Sequence, residues 1–322
     1  MDEFPKPRIV VSKCLEFASC RYNGQMISSR VVRRLKPFVE FVPVCAEMEI
    51  GLGVPRQTVR IIARKGQLRL QQHETERDVT EAMTSFAESY CGGLSGVDGF
   101  ILKSRSPSCG IKEVRLYPHL GKVAHIGSGT GFFAQAVLDR FGHLPVEEEG
   151  RLKNYEIRHH FLTRLFLWAR FRQVKRSAAM RHLVQFHAAN KFLLLAHNER
   201  ALRVLGRVVA NHERRSVAEV IGEYERHLGE AFPAAPPAGT MTNVLQHLLG
   251  FFSKRITDRE RHYLLGLLRR LRKHQVPASV PVSVLRSWSI RFGEDYLLQQ
   301  SVFQPYPEAL MDVADSGKGR TL

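Results

Sequence analysis

The strongest constraint on this chain is a change in the spacing of its apolar residues near residue 148. Before that point, strand-like and helix-like stretches alternate. "RIVVSKC" (8–14) and "VEFVPVC" (39–45) are short β-branched runs, each ending in a cysteine, with the helical "SSRVVRRLKPF" between them. "ERDVTEAMTSFAESYCGGL" has helical spacing and stops at a glycine pair. "VDGFILKSRSPSCG" is a strand that runs into a loop, and "GKVAHIGSGTGFFAQAVLDRFG" is a glycine-bearing loop followed by a helix. Strands separated by helices predict βαβ units and a parallel sheet. After "EEEGRLKNYE" only helical spacing remains, from "YEIRHHFLTRLFLWARFRQV" to "DRERHYLLGLLRRLRKHQV", with "PAAPPAG" as a loop. The expectation is an α/β domain with a Rossmann-like parallel sheet over 1–148, an all-helical domain over 149–311 and a loose tail over 312–322. No internal repeat is visible.

In an open parallel sheet, ligands bind beyond the carboxyl ends of the strands. Cys14, Cys45 and Cys109 each lie at or shortly beyond such an end. Loops far apart in sequence can therefore meet there. Three thiolates can hold zinc or an iron–sulfur cluster with one open iron, but zinc sites favour close local pairs. These spacings are long, so the residues alone leave a metal centre and three unrelated packing thiols equally open. Five cysteines in a chain of this kind do not suggest a disulfide framework.

Charge points to a partner. Lysine and arginine number 48 against 31 acids, a formal net charge of +17, and 44% hydrophobic residues provide for a substantial core. Such an excess suits a polyanion, most often nucleic acid. It is uneven: between Arg151 and Arg181 nine basic residues face one acid, Glu156, and a second cluster runs from Lys254 to Lys273. Aromatics interleave the first run, which places Arg158, Arg164 and Arg170 on an outer face as candidate RNA contacts, with His187 and Lys191 on one face of the next helix. No apolar run spans a bilayer, and "MDEFPKPR" does not resemble a secretory leader, so a cytoplasmic protein without membrane association is expected.

"VSKCLEFASCRYNG", "PVCAEMEIGLGVPR" and "LKSRSPSCG" together resemble the signature segments of the 2-thiouracil desulfidase family over roughly residues 7 to 146. The remainder, with "FHAANKFLLLAH" and "NVLQHLLGFFSKRI", resembles the helical domain fused to some desulfidases, a form similar to enzymes that remove sulfur from 4-thiouridine in tRNA. The resemblance implies a 4Fe-4S cluster held by Cys14, Cys45 and Cys109. It implies Glu47 as general base or proton donor and Ser106 as a hydroxyl steadying substrate or water, with Ser104 and Ser108 as close neighbours. Arg56 and Lys103 are further candidates for substrate contact, and tRNA is the implied partner. The alternatives are a desulfidase of free 2-thiouracil or a similar small compound, and a non-catalytic nucleic-acid-binding metalloprotein.

Other features have plainer readings. Cys20, six residues after Cys14, is expected to be structural or to line the pocket, and Cys91 to pack. "GSGTGFF" (127–133) has GxGxG spacing and not GxGxxG, so no nicotinamide or flavin is expected. A tight turn before a helix is favoured, although free helix-start amides can meet a phosphate. Gly51 and Gly53 are expected to let the backbone turn after Cys45.

Overall fold

A computed structural model describes residues 4–312. The chain divides into two compact units. The first runs to Ala169 and takes in the chain again from Ala309; the second is Arg170–Glu308.

In the first unit the order is β1 (Arg8–Ser12), α1 (Arg30–Leu35), β2 (Glu40–Val44), α2 (Ala46–Glu49), β3 (Val59–Arg64), β4 (Gln67–Gln72), α3 (Thr80–Gly93), β5 (Gly99–Leu102), β6 (Val114–Tyr117), β7 (Gly127–Gly129), α4 (Phe132–Phe141) and β8 (Val146–Glu148). One four-stranded sheet has the order β2-β1-β5-β8 and is parallel throughout. Its inner strands are buried on both faces: Ile9, Val10, Val11, Phe100, Ile101 and Leu102 are inaccessible, which is why they read as unbroken apolar runs. The chain steps from β1 to β2 on one side and later returns to β5 on the other, so the strand order reverses at β1.

A second sheet was not anticipated from the sequence. It has the order β4-β3-β6-β7, with a β3–β4 hairpin turning at Lys65 (φ 49°) and Gly66 (φ 77°).

α5 (Tyr155–Ser177) crosses the division between units. Its first turns belong with the sheet because their apolar face completes that core. A Cβ on Gly99 would lie 3.0 Å from the Leu165 side chain and 2.9 Å from the Pro145 carbonyl. The strands end near residue 148, as the sequence suggests, but the compact unit extends to Ala169. Asp312 is tied to α1 through ion pairs with Arg34 and Arg30. Residues 313–322, the rest of the expected tail, lie outside the described residues.

The second unit is helical: α6 (Met180–Ala189), α7 (Lys191–His197), α8 (Glu199–Ala210), α9 (Val217–Glu230), α10 (Ala238–Gly250), α11 (Asp258–Arg272), α12 (Ser279–Arg291) and α13 (Asp295–Leu298). The long periodic stretch 181–210 is three helices broken at Asn190 and Asn198, where asparagine starts the next helix. Phe192, Leu245, Phe252, Leu264, Leu268, Leu285 and Trp288 share one core. No helix among the described residues is long and apolar enough to cross a membrane.

Candidate active site

Three adjacent parallel strands end on one edge of the sheet. Neighbouring strands lie about 4.8 Å apart, so residues leaving all three ends start within about 10 Å of one another. Cys14 follows β1 by two residues, Cys45 is the N-cap of α2 directly after β2, and Cys109 lies in the loop after β5. The strand reversal at β1 opens the crevice into which these loops turn.

The thiols feel one another. Cys14 is pushed up to about 12, chiefly by burial, with Cys20 and Cys45 adding to the rise and Lys103 opposing it. Cys45 is pushed up to about 11, chiefly by burial; Cys20 and Glu47 also raise it, and the Met48 amide and Arg56 oppose. Cys109 stands well above the ordinary thiol range because it is buried; Cys45, Cys14 and Glu47 add to this, and a hydrogen bond with Ser12 opposes it. Cys20 is 6% exposed and belongs to the same group of sulfurs. Cys91 is buried on α3, among the packing residues of that helix.

Glu47 sits in the first turn of α2, and both of its carboxylate oxygens are held. Arg56 brings Nη2 to within 2.6 Å of Oε2 and Nε to within 2.8 Å. Ser108 donates its hydroxyl to Oε1 at 2.9 Å. Arg56 is in turn fixed by the carbonyls of Cys20 and Gly53, each 2.9 Å from Nη1. Gly51 (φ 78°) and Gly53 (φ 67°) adopt the left-handed conformation that brings Arg56 back toward Glu47.

The resemblance implies Ser106 as the hydroxyl of the site, with Ser104 and Ser108 close by. In the structure its Oγ accepts from the amides of Cys109 (3.1 Å) and Ser108 (3.3 Å), so it shapes the turn that presents Cys109. The hydroxyl on Glu47 belongs to Ser108.

The acidic run 147–149 also has a role in the site that was not foreseen. Glu148 accepts from the Ile111 amide at 2.7 Å and from the Lys112 amide at 3.3 Å, tying down the chain just past Cys109. Its pKa is raised by burial, with Glu149 and Glu147 adding and the two amides opposing. Glu149 pairs with Lys103 Nζ at 2.7 Å and accepts from the Ser104 amide and hydroxyl. Lys103, a candidate substrate contact, is thus committed to a carboxylate beside Cys14.

The glycine-rich stretch 127–133 braces the same loop. The amides of Gly131, Phe132 and Ala134 at the start of α4 donate to the carbonyls of Gly110, Pro107 and Ser108. A Cβ on Gly131 would lie 2.6 Å from the Ser108 carbonyl, which is why glycine stands there. Those helix-start amides are occupied by protein and are not offered to a phosphate.

The remaining candidates separate by direction. Arg158 is buried and donates to the Leu152 carbonyl at 2.8 Å. Arg164 donates to the His143 carbonyl at 2.8 Å and Arg170 to the Ser301 hydroxyl at 2.8 Å. Burial lowers both of the latter to about 10. The expectation of an outer arginine face on this stretch is corrected: the long stems cross apolar surface, and their heads are taken by acceptors of the protein itself, Arg158 in the interior and Arg164 at its edge. His187 meets the Tyr224 hydroxyl at 3.1 Å, and its pKa is lowered by burial and then by Lys191. Lys191 is exposed, with Nζ 5.9 Å from the centre of the Phe192 ring.

Among the described residues no group of three or more His, Cys, Asp or Glu side chains is arranged to hold a single metal ion. A cluster makes a different demand, because its cysteines bind different irons and stand further apart than ligands converging on one ion. The donor set suits a cluster. Buried thiols that raise one another's pKa are relieved by a cationic iron core, which takes them as thiolates.

Comparison with known proteins bears on the same residues. Residues 9–149 match the family model described as 2-thiouracil desulfurase, and residues 191–307 match one described as a protein of unknown function, DUF1722. An uncharacterized Bacillus subtilis (strain 168) protein, YbbK, is 33% identical over 149 residues, covering 44% of this chain and 95% of its own length. An uncharacterized Escherichia coli (strain K12) protein, YbgA, is 24% identical over 151 residues, covering 46% of this chain and 89% of its own. The solved structure of a 4Fe-4S-dependent thiouracil desulfidase, TudS, is 31% identical, covers 46% of this chain and 93% of its own, and has a TM-score of 0.37.

Proposed function

This chain belongs to the 2-thiouracil desulfurase family through its first unit, and from that premise we propose that it removes sulfur from a thiolated uracil, with 4-thiouridine in tRNA as substrate. The observation that carries the chemistry is Glu47, a carboxylate held at both oxygens on the loop that also carries Cys45. Cys14, Cys45 and Cys109 would hold a 4Fe-4S cluster, whose fourth iron supplies a Lewis acid for the thiocarbonyl sulfur. Glu47 accepts a proton from the water that adds to the ring carbon bearing sulfur. Arg56 aims that carboxylate through two nitrogens, and Ser108 fixes its second oxygen. The carbon–sulfur bond breaks, the ring regains its carbonyl, and hydrosulfide leaves. One water is consumed, and no electrons are gained or lost overall. Burial of Cys14, Cys109 and Ser108 limits bulk water at the reacting centre, while Cys45 is part-exposed.

The formal charge of +17 supports a tRNA substrate over a free base, which has no phosphates to attract. The test is anaerobic incubation with bulk tRNA followed by nucleoside analysis. Loss of 4-thiouridine with a matching gain of uridine and sulfide is the expected result. Turnover of free 2-thiouracil with tRNA untouched would overturn the substrate. A colourless anaerobic preparation, or colour that survives in each of Cys14→Ala, Cys45→Ala and Cys109→Ala, would overturn the cluster.

A further inference from the structure

The second unit carries an arginine-rich helix of the opposite kind to α5. α11 turns Leu264, Leu267, Leu268 and Leu271 into the core. At 100° per residue, Arg259, Tyr263, Gly266, Arg270 and Lys273 fall together on the opposite side. Arg259, Arg270 and Lys273 are exposed, and so is Arg269 beside them. None of these four makes an ion pair with a described residue. The nearby cations that do have partners lie at the margin: Arg255 pairs with Glu294, and Arg291 with Glu260 at 2.9 Å. The row from Arg259 to Lys273 is about 20 Å long at 1.5 Å per residue.

Two further features point to the kind of partner. Gly266 lies in the middle of the row, and a Cβ added there would meet only the Arg269 guanidinium, at 3.9 Å. Glycine inside a helix lowers its stability relative to alanine, so this gap has a local penalty. In return, a partner's backbone can come close to the helix between flanking cations. Tyr263 is 61% exposed and presents an aromatic face beside the gap. Cations for phosphates, a gap for a backbone and a ring on which a base can stack are the parts that bind RNA.

We propose that this face of α11 is an RNA-docking surface, in which Arg259, Arg269, Arg270 and Lys273 take phosphates and Tyr263 stacks on an unpaired base. The proposal rests on the reading of tRNA as substrate and names the surface that would hold it.

The experiment measures binding of bulk tRNA to the full anaerobic protein from roughly 50 to 200 mM salt. Each phosphate contact contributes about 0.7 to 0.9 to the slope of log affinity against log salt, so Arg259→Gln/Arg270→Gln/Lys273→Gln should flatten it by about 2 to 3. Affinity should fall at least tenfold at the lower salt. Gly266→Glu keeps every cation and replaces the poorest helix former short of proline, so its melting temperature should hold or rise while tRNA affinity falls several-fold. Weaker binding in that variant has no explanation in misfolding. An unchanged slope in the triple variant, together with unchanged affinity in Gly266→Glu, overturns the surface. So does stronger binding of the wild type to anionic phospholipid vesicles than to tRNA. Absence of salt-sensitive tRNA binding by the wild type sinks the substrate reading itself, so the two failures are distinguishable.

Discussion

The carboxyl edge of the parallel sheet and the outer face of α11 both gather charge, and they handle it in opposite ways. At the sheet edge each charged side chain of the site has a fixed partner: Glu47 has Arg56 and Ser108, and Lys103 has Glu149. On α11 the cations of the central row stand in solvent with no ion-pair partner among the described residues. Fixed, buried charge needs no reorganisation when a reaction moves a proton nearby, which is what catalysis requires. Mobile, hydrated charge releases counterions when a polyanion arrives, which is what binding without tight geometry requires. Substitution at the edge should therefore read out in chemistry and stability, and substitution on α11 in salt-dependent affinity.

The largest effect expected is at Glu47. Glu47→Gln keeps the shape and removes the proton acceptor, which should lower kcat on the order of 10²- to 10⁴-fold. The cluster's visible absorbance should remain, because the glutamate is not one of its proposed ligands. Full activity in this variant would break the assignment of edge charge to catalysis. Next comes Arg56→Ala, which strands a carboxylate that is 13% exposed beside buried thiols. Removing one partner of such a pair is strongly destabilising, about 3 kcal/mol here, read as a lower melting temperature. Arg56→Lys restores the charge but not the two-nitrogen geometry, and should recover stability better than kcat.

Much of the edge was legible in the sequence. Cys14, Cys45 and Cys109 each stand at or beyond the end of a β-branched run, and parallel topology makes such ends converge. Glu47 is singled out by the resemblance, whose pattern places a glutamate two residues after Cys45. Ser108 was hidden because "SRSPSCG" offers hydroxyls at 104, 106 and 108, and only the direction of the turn decides which one faces Glu47. Glu148 and Glu149 were hidden because an acidic run reads as solvated surface, while here β8 carries it into the sheet edge. The β3–β4 hairpin has its own signal in the sequence, alternating residues on either side of Lys65-Gly66. α12 has Pro281 in its first turn and several β-branched or serine positions, so its helical spacing is weak. The arginines of α5 were misplaced for another reason: a long helix in a core has apolar residues on most sides, so its cations cannot be assigned to a wet face from spacing alone.

α5 supplies an acid-side test of inward charge. Burial lowers His159 to about 4, and Arg158 contributes. Between the ordinary value of 6.5 and about 4, the unfolded chain binds a proton that the folded chain refuses. Stability is then fully present above 6.5 and is lost as pH falls toward 4. At about 1.4 kcal/mol per unit of pH, with the ring half-buried, the loss should be about 2 kcal/mol. Denaturant titrations at pH 7 and pH 4.5 measure it against the His159→Gln variant, whose stability should fall less over the same interval. Equal losses would show that His159 is not shielded from water in the folded chain.

The smallest effects set one arginine against another. Arg170→Ala removes a stem packed inside the second unit and leaves the Ser301 hydroxyl without its donor, so about 1 to 2 kcal/mol of stability should be lost. Arg170→Met keeps the stem and removes a guanidinium that burial already disfavours, so it should lose less than the alanine variant. Arg270→Ala, on the solvent side of α11, should stay within about 0.5 kcal/mol of wild type. It should nonetheless flatten the tRNA salt slope by about 0.7 to 0.9, a change that Arg170→Met should not produce. If instead Arg170 moved the slope and Arg270 moved the melting temperature, the division between inward and outward cations would be reversed, and the RNA surface would have to be sought on α5.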